Sequence, residues 1–281
     1  MNGERAILVT GASTGIGHAA ALRLAEAGFV VFAGVRKESD ARVKDALHAN
    51  VRPVLLDVTN AENIAAAFAV IREGGLPLYG LLNNAGIAVG GPLEYLPVDA
   101  LRRQFEVNVI GTIAVTQAAI PFLRVTRGRV VTIGSIAGRF GAPFVGPYNA
   151  SKAAIATLVD SLRLELAPFG IRAVLFEFAA VKTPIWEKGR ALRDELEGRL
   201  PEQALRDYAP IIEAVVRRIE HEERGGLEPS LIANAILAAF TTPSPRARYV
   251  IGRQAKIQAA IALLPHKTRD DIVRKVLRIP L

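Results

Sequence analysis

Arg5-Ala-Ile-Leu-Val-Thr-Gly-Ala-Ser-Thr-Gly-Ile-Gly17 is the stretch whose reading decides the fold. Residues 5–10 form a short apolar run of strand character, and the glycine-punctuated second half opens a helical segment, His18 to Ala27. A strand that passes through a glycine turn into a helix begins a parallel α/β unit. Gly11, Gly15 and Gly17 permit tight turning and let a phosphate approach the backbone, with Ser13, Thr14 and Ile16 between them. The amino end of the following helix favours negative charge. A merely structural turn competes with this reading, but the position between strand and helix is the one an anion-binding loop requires.

Working outward, strand patterns recur at Phe29–Val35, Val51–Leu56, Leu78–Leu82, Arg129–Ile133, Ile171–Phe178 and Tyr249–Gly252. Helical segments separate them, and no repeat, linker or low-complexity tract interrupts the alternation. The expected fold class is α/β, a doubly wound parallel sheet with helices on both faces, in a single domain spanning 1–281.

Ligands of such sheets bind at the carboxyl ends of the strands. Candidate residues stand at several strand ends. The second strand ends in Val35-Arg36-Lys37, with no carboxylate to accept bonds from a ribose hydroxyl and with cations suited to a 2′-phosphate. The fifth strand runs into Gly134-Ser-Ile-Ala-Gly and on to Tyr148-Asn-Ala-Ser-Lys152 at the start of a helix, Ala150 to Ala167. Tyr148 and Lys152 are four residues apart and share a helix face. An ammonium there is expected to lower the phenol's pKa, giving an acid–base catalyst, while Ser135 holds the reacting oxygen. The sixth strand leads through Phe178-Ala179 to Val181 and Thr183.

Bulk properties exclude several classes. Hydrophobic residues make up 51% and charged residues 22%, an ordinary balance for a globular protein with a large core. The chain has no cysteine, so thiol catalysis, disulfides and thiolate metal sites are ruled out, and its four scattered histidines give no metal-ligand spacing. The net charge of +8 divides as 17 basic and 14 acidic residues in 1–181 against 18 and 13 in 182–281. Without a dense basic run or interleaved aromatics, no nucleic-acid partner is expected. No signal peptide is read at the amino end, and no apolar run of membrane-spanning length is expected.

These residues together resemble the short-chain dehydrogenase/reductase family, and the lid and the Leu263-Leu264-Pro265 tail resemble its retinol and hydroxysteroid dehydrogenase branch. The likeness rests on the glycine loop, Asn83-Asn84-Ala85-Gly86, Ser135 and the Tyr148/Lys152 pair. It implies that Asp57 and the Val58 amide contact adenine, and that Asn84, Ala85 and Gly86 shape the cofactor trough while Asn83 is structural. It further implies that Val181 and Thr183 hold the nicotinamide carboxamide, Asn108 holds a relay water, and Lys152 binds the ribose as well as tuning Tyr148. A hydrogen-bonded core asparagine is the competing reading of Asn108, and the two do not exclude each other. Residues 185–242 correspond to the family's substrate lid, leaving 1–184 as core and 243–281 as last strand and helical tail. In that lid Ile185, Trp186, Leu192, Leu196 and the stripe Leu205, Tyr208, Ile212, Val215, Val216 and Ile219 suggest a bulky apolar substrate. Where the family has Pro-Gly this chain has Phe178-Ala179, which changes loop stiffness.

The resulting expectation is an NADP(H)-dependent oxidoreductase, NAD being second choice, that interconverts a secondary alcohol and a ketone. A steroid-, retinoid- or lipid-like small molecule is its expected substrate. It is expected to be a cytoplasmic homodimer or homotetramer, with its tail docked on the domain. Two alternatives stand beside it: a catalytically weak cofactor-bound regulator, suggested by Phe178-Ala179, and a nucleotide-sugar epimerase or dehydratase, whose glycine spacing and length fit less well.

Overall fold

In the computed structural model the described residues are 5–37, 39–40, 48–187, 190, 194, 198 and 200–278. Seven parallel strands form one sheet in the order β3-β2-β1-β4-β5-β6-β7. They are β1 (Ala6–Val9), β2 (Val30–Val35), β3 (Val51–Leu55), β4 (Leu78–Asn83), β5 (Arg129–Ile133), β6 (Arg172–Phe178) and β7 (Arg248–Ile251). The strands in the middle are apolar throughout because helices cover both faces, and every residue of β1, β2, β4 and β5 is buried. β3 lies at the edge and alternates buried with exposed positions.

On one face α1 (Gly15–Glu26) and α7 (Pro229–Thr241) pack together against the sheet. Their core includes Phe29, Val31, Leu82, Phe176 and Phe240. Gly80 lets α7 come close, since a methyl group there would lie 2.5 Å from the Phe240 ring. The other face carries α2 (Ala61–Glu73), α3 (Val98–Phe105), α4 (Thr112–Thr126) and α5 (Gly146–Leu166). The chain continues through α6 (Glu202–Arg224), and α8 (Arg253–Ile261) and α9 (His266–Leu277) follow β7.

One expectation needs correction. α3, a π-helical turn at Glu106–Gly111, and α4 form a 29-residue helical run whose apolar window has a mean hydropathy of 1.4. By length and composition it reaches membrane-spanning size, against the expectation that no apolar run does. Charged residues at its amino end break up the pattern in the sequence, and α4 buries Val115, Ala119 and Leu123 in the core beside Leu78 and Leu81.

β1 has β2 on one side and β4 on the other, so successive crossovers leave it in opposite directions. That divergence opens a crevice at the strands' carboxyl ends.

Candidate active site

A cavity of about 1520 Å³ occupies this crevice. The glycine loop forms one wall, with Gly11 and Gly15 in left-handed conformation at φ +63° and +60°. Gly17 lies behind the lining rather than in it: a Cβ there would come 2.4 Å from both Asn84 Nδ2 and the Gly11 carbonyl. Asn84 Nδ2 donates to the carbonyls of Thr10 and Gly11, and the Thr10 hydroxyl accepts from the amides of Asn84 and Ala85. The loop after β1 and the loop after β4 are thereby locked to one another. Asn83 is buried and donates to Thr116, the structural part expected of it. Asp57 lines the cavity and accepts from the amide and hydroxyl of Thr59, while Asn60 caps α2.

At the end of β2 the placement differs from expectation. Arg36 is exposed and lines the cavity, whereas Lys37 is exposed outside the lining. Val35 is not at a solvent-facing end; it is 2% exposed and packed in the sheet. A charge at 35 would therefore be buried, and the cofactor-facing position is Arg36 alone.

Ser135, Tyr148 and Lys152 converge on the cavity. Ser135 Oγ accepts from the Ala137 amide at 3.2 Å, which fixes the serine at the mouth of β5, and Ser135 and Tyr148 line the same part of the cavity. Burial pushes the phenol's pKa up, and the Ser135 side chain draws it partly back. Lys152 Nζ donates to the Ile133 carbonyl at 2.8 Å and lies 5.8 Å from the Tyr148 ring centre. Burial lowers its own pKa to about 8. The expected direction for Tyr148 is thus reversed in this structure. Desolvation dominates there, and the Lys152 ammonium is directed to a backbone carbonyl.

Asn108 is a hydrogen-bonded core asparagine, one of the two readings open for it. It lies in the π-helical turn, 2% exposed and outside the cavity lining. Its Oδ1 accepts from the Ile87 amide, and its Nδ2 donates to the Ile87 carbonyl and Ser151 Oγ. Both amide hydrogens are committed, so the side chain is a bracket between Ile87 and Ser151. Gln104 does the same work one turn earlier, holding Ile87 and Val89 and reaching Ser151. Ser151 in turn donates to the Tyr148 carbonyl. The sequence reading missed Gln104 and Ser151, although two buried amides four apart in an apolar helix are a visible signal.

It also missed Arg139 and Glu177. Glu177 is 1% exposed inside β6 and pairs bidentately with Arg139, which follows Ser135 in a single turn of 3₁₀ helix. Arg248 of β7 bonds Asp160 of α5 and lies 3.6 Å from Glu177. A charged residue in the middle of Val-Leu-Phe-Glu-Phe was the available clue. This network ties the Ser135 loop to the strand that leads into Phe178-Ala179.

The loop lacking Pro-Gly is stiffened by other means. Leu227 pairs with it, its amide donating to the Ala180 carbonyl and its carbonyl accepting from Lys182. The Trp186 indole N–H donates to the Val181 carbonyl at 2.8 Å. Val181 and Thr183 line the cavity, and Thr183 lies over Gly15, 3.1 Å from where a Cβ would stand.

The outer wall is apolar. Ile185, Trp186, Ile212, Val215, Val216 and Ile219 line it, while Leu205 is exposed and Tyr208 turns to Glu94. Leu192 and Leu196 lie outside the described residues. The tail docks on the domain as expected, with Ile272, Val273, Val276 and Leu277 of α9 completing the wall.

The residues present fit a dinucleotide. α1 points its amino end into the glycine loop with no acidic residue in its first turn. Among the described residues Val35, Arg36 and Lys37 bring no carboxylate to the end of β2, and the trough runs without a break to Tyr148.

A family model described as short chain dehydrogenase matches residues 5–194. The NADPH-dependent 3-dehydrocapnine reductase of Ornithobacterium rhinotracheale is 33% identical, with 98% of each chain covered. Retinol dehydrogenase 5 of Mus musculus is also 33% identical, over 98% of this chain and 89% of its own. A short chain dehydrogenase/reductase from Burkholderia phymatum, solved in complex with NAD, superposes with a TM-score of 0.79 at 26% identity, covering 97% of this chain and 96% of its own.

Proposed function

This chain belongs to the short-chain dehydrogenase family and is an oxidoreductase, and from that premise we propose that it is an NADP(H)-dependent enzyme reducing a bulky apolar ketone to a secondary alcohol. One observation carries the reading. Tyr148, Ser135 and Lys152 stand in the same continuous cavity as the glycine loop and an apolar outer wall.

The nicotinamide cofactor supplies hydride when bound. Everything else falls to the chain. Ser135 orients the carbonyl oxygen, and Tyr148 passes its proton to that oxygen as charge develops there. A phenol raised by burial is protonated at neutral pH, the form a ketone reduction needs. Lys152, whose Nζ donates to the Ile133 carbonyl, would bind the ribose, the role that the family resemblance gives it. Asn108, Gln104 and Ser151 hold the backbone around Tyr148. Arg36 is the side chain that would receive a 2′-phosphate. The NADPH dependence in the name of the Ornithobacterium relative supports that choice, and the NAD complex of the Burkholderia structure is the reason it needs testing.

The single sheet supports reading 1–281 as one domain. We read the assembly as a homodimer or homotetramer, supported by exposed Val125 on α4 and Leu164 on α5, and the setting as cytoplasmic, supported by the absence of cysteine. The regulator alternative is motivated by Phe178-Ala179; Asn108, Ser135, Tyr148 and Lys152 all being present, together with the pairing of that loop with Leu227, supports the enzyme reading over it.

The test is turnover of ketones with NADPH, followed by nicotinamide absorbance, in wild type and Tyr148→Phe. Wild type should turn over, and the variant should lose activity by about 10²- to 10⁴-fold while binding NADPH within a few fold. Absence of turnover in wild type, or a variant retaining most of its rate, overturns the reading.

A further inference from the structure

The similar charge counts of the two halves conceal a concentration. Residues 253–278 hold seven basic side chains (Arg253, Lys256, Lys267, Arg269, Arg274, Lys275, Arg278) and two acidic ones (Asp270, Asp271), so 7 − 2 = +5 of the chain's +8 lies there. All but Arg269 of these cations are exposed, and among the described residues none of the seven is in an ion pair. The neighbouring α6 is built the other way: Arg206, Arg217 and Arg218 each pair with a glutamate four residues away.

The same segment exposes large apolar side chains. Leu263, in the turn joining α8 to α9, is 84% exposed, and Leu264 beside it 39%. Ile257 and Val276 are 50% and 51% exposed and also line the cavity. A residue that is exposed on one side and lines a cavity on the other marks a rim, so the cavity opens between α8 and α9. Apolar side chains at a tip, unpaired cations around them and an apolar cavity opening at the same place form one surface.

We propose that α8, the turn 262–265 and α9 dock on an anionic lipid surface, with Leu263 and Leu264 entering the boundary between headgroups and acyl chains. The charge complementarity selects this occupant. An unpaired cation close to an anionic bilayer gains from it, and an exposed leucine gains by leaving water. Docked this way, the mouth between Ile257 and Val276 faces the acyl region, from which an apolar substrate would enter. That last step rests on the ketone-reductase reading, whereas docking itself does not.

The experiment is sedimentation of the full chain with vesicles of phosphatidylcholine alone and of phosphatidylcholine with about one third phosphatidylglycerol. Wild type should bind the anionic vesicles, bind pure phosphatidylcholine far less, and lose binding as salt is raised. Lys267→Gln with Lys275→Gln should weaken binding by about 25-fold, at about fivefold per charge. Leu263→Asp should weaken it by roughly tenfold, and the milder Leu263→Ser by less. Melting temperature should be unchanged in each, since these side chains are exposed. No binding to anionic vesicles overturns the proposal. So does binding indifferent to Leu263, which makes the contact charge alone, or self-association abolished by Leu263→Asp without vesicle binding, which makes the occupant a second copy. Because no turnover is read, a negative result here leaves the reductase reading standing, and a failed turnover assay leaves this one.

Discussion

The two walls of the cavity are built on opposite plans. On the sheet side, polar side chains are committed to the backbone that carries the site: Asn84 to Thr10 and Gly11, Gln104 and Asn108 to Ile87, Lys152 to Ile133. On the outer side, Ile212, Val215, Val216 and Ile219 of α6 offer apolar surface, and the helix's arginines pair with glutamates of the same helix. The bonds that tie that helix to its surroundings stand near its ends, Tyr208 to Glu94 at one and Arg190 to Glu223 and Gln254 to Glu222 at the other. Directional bonds fix positions to tenths of an ångström, whereas apolar contact fixes only size and shape. The difference assigns chemistry to the sheet side and selection to the outer wall. Substitutions on the first should act on every substrate alike, and substitutions on the second on some more than others.

The sharpest way to break that division is Lys152→Ala. Turnover should fall by about 10²- to 10⁴-fold for any ketone, and cofactor binding should weaken with it, unlike Tyr148→Phe. The same variant tests the buried ammonium. Lys152 is held at about 8 in the fold, below its ordinary 10.4 in the unfolded chain. Between those values the unfolded chain binds more protons, so this group's contribution to stability rises with pH and is smallest below about 8. Melting of the cofactor-free protein from about pH 7 to about 10 should show wild type gaining on Lys152→Ala as pH rises. A flat difference would mean that the lysine titrates normally.

Glu177→Gln comes next. It leaves Arg139 and Arg248 facing a neutral amide, and removing one partner of a buried pair costs about 3–5 kcal/mol. Urea or thermal unfolding measures the loss. Where the variant still folds, kcat should drop by a common factor across ketones, because Arg139 positions the Ser135 loop. A change confined to KM for large ketones would move this network to the selecting side.

Arg36→Ala is smaller in effect. Losing a charge-assisted contact of about 1.5–3 kcal/mol should cut the preference for NADPH over NADH by roughly ten- to more than hundredfold, read as the ratio of kcat/KM values. Val35→Asp should be tested separately, since Val35 is buried and a charge there destabilises the fold as well. A wild type that already prefers NADH would make Arg36 a surface charge.

The division also explains what was legible in the sequence. Strands on the sheet side are unbroken apolar runs, and the glycine loop, Asn84 and the Tyr148/Lys152 pair stand in local motifs, so the fold and most of the cavity's polar lining could be read directly. What could not be read depends on contacts far apart in the chain. Glu177 meets Arg139 across 38 residues, and Leu227 stiffens the loop that lost its Pro-Gly. The state of Tyr148 was misjudged for the same reason. Spacing put a cation nearby, but the burial that raises the phenol comes from the assembled cavity. On the outer wall, a helical apolar stripe looks the same whether it faces a core or a ligand, and only packing separates Val216 from Leu205.

The most direct test is kcat/KM for NADPH-supported reduction along a series of straight-chain methyl ketones of increasing length. If the sheet side performs the chemistry and the apolar wall selects, the value should rise about fourfold for each added methylene until the cavity is filled, at about 0.8 kcal/mol per buried group. A value that is flat with length, or highest for small charged ketones, would contradict the account.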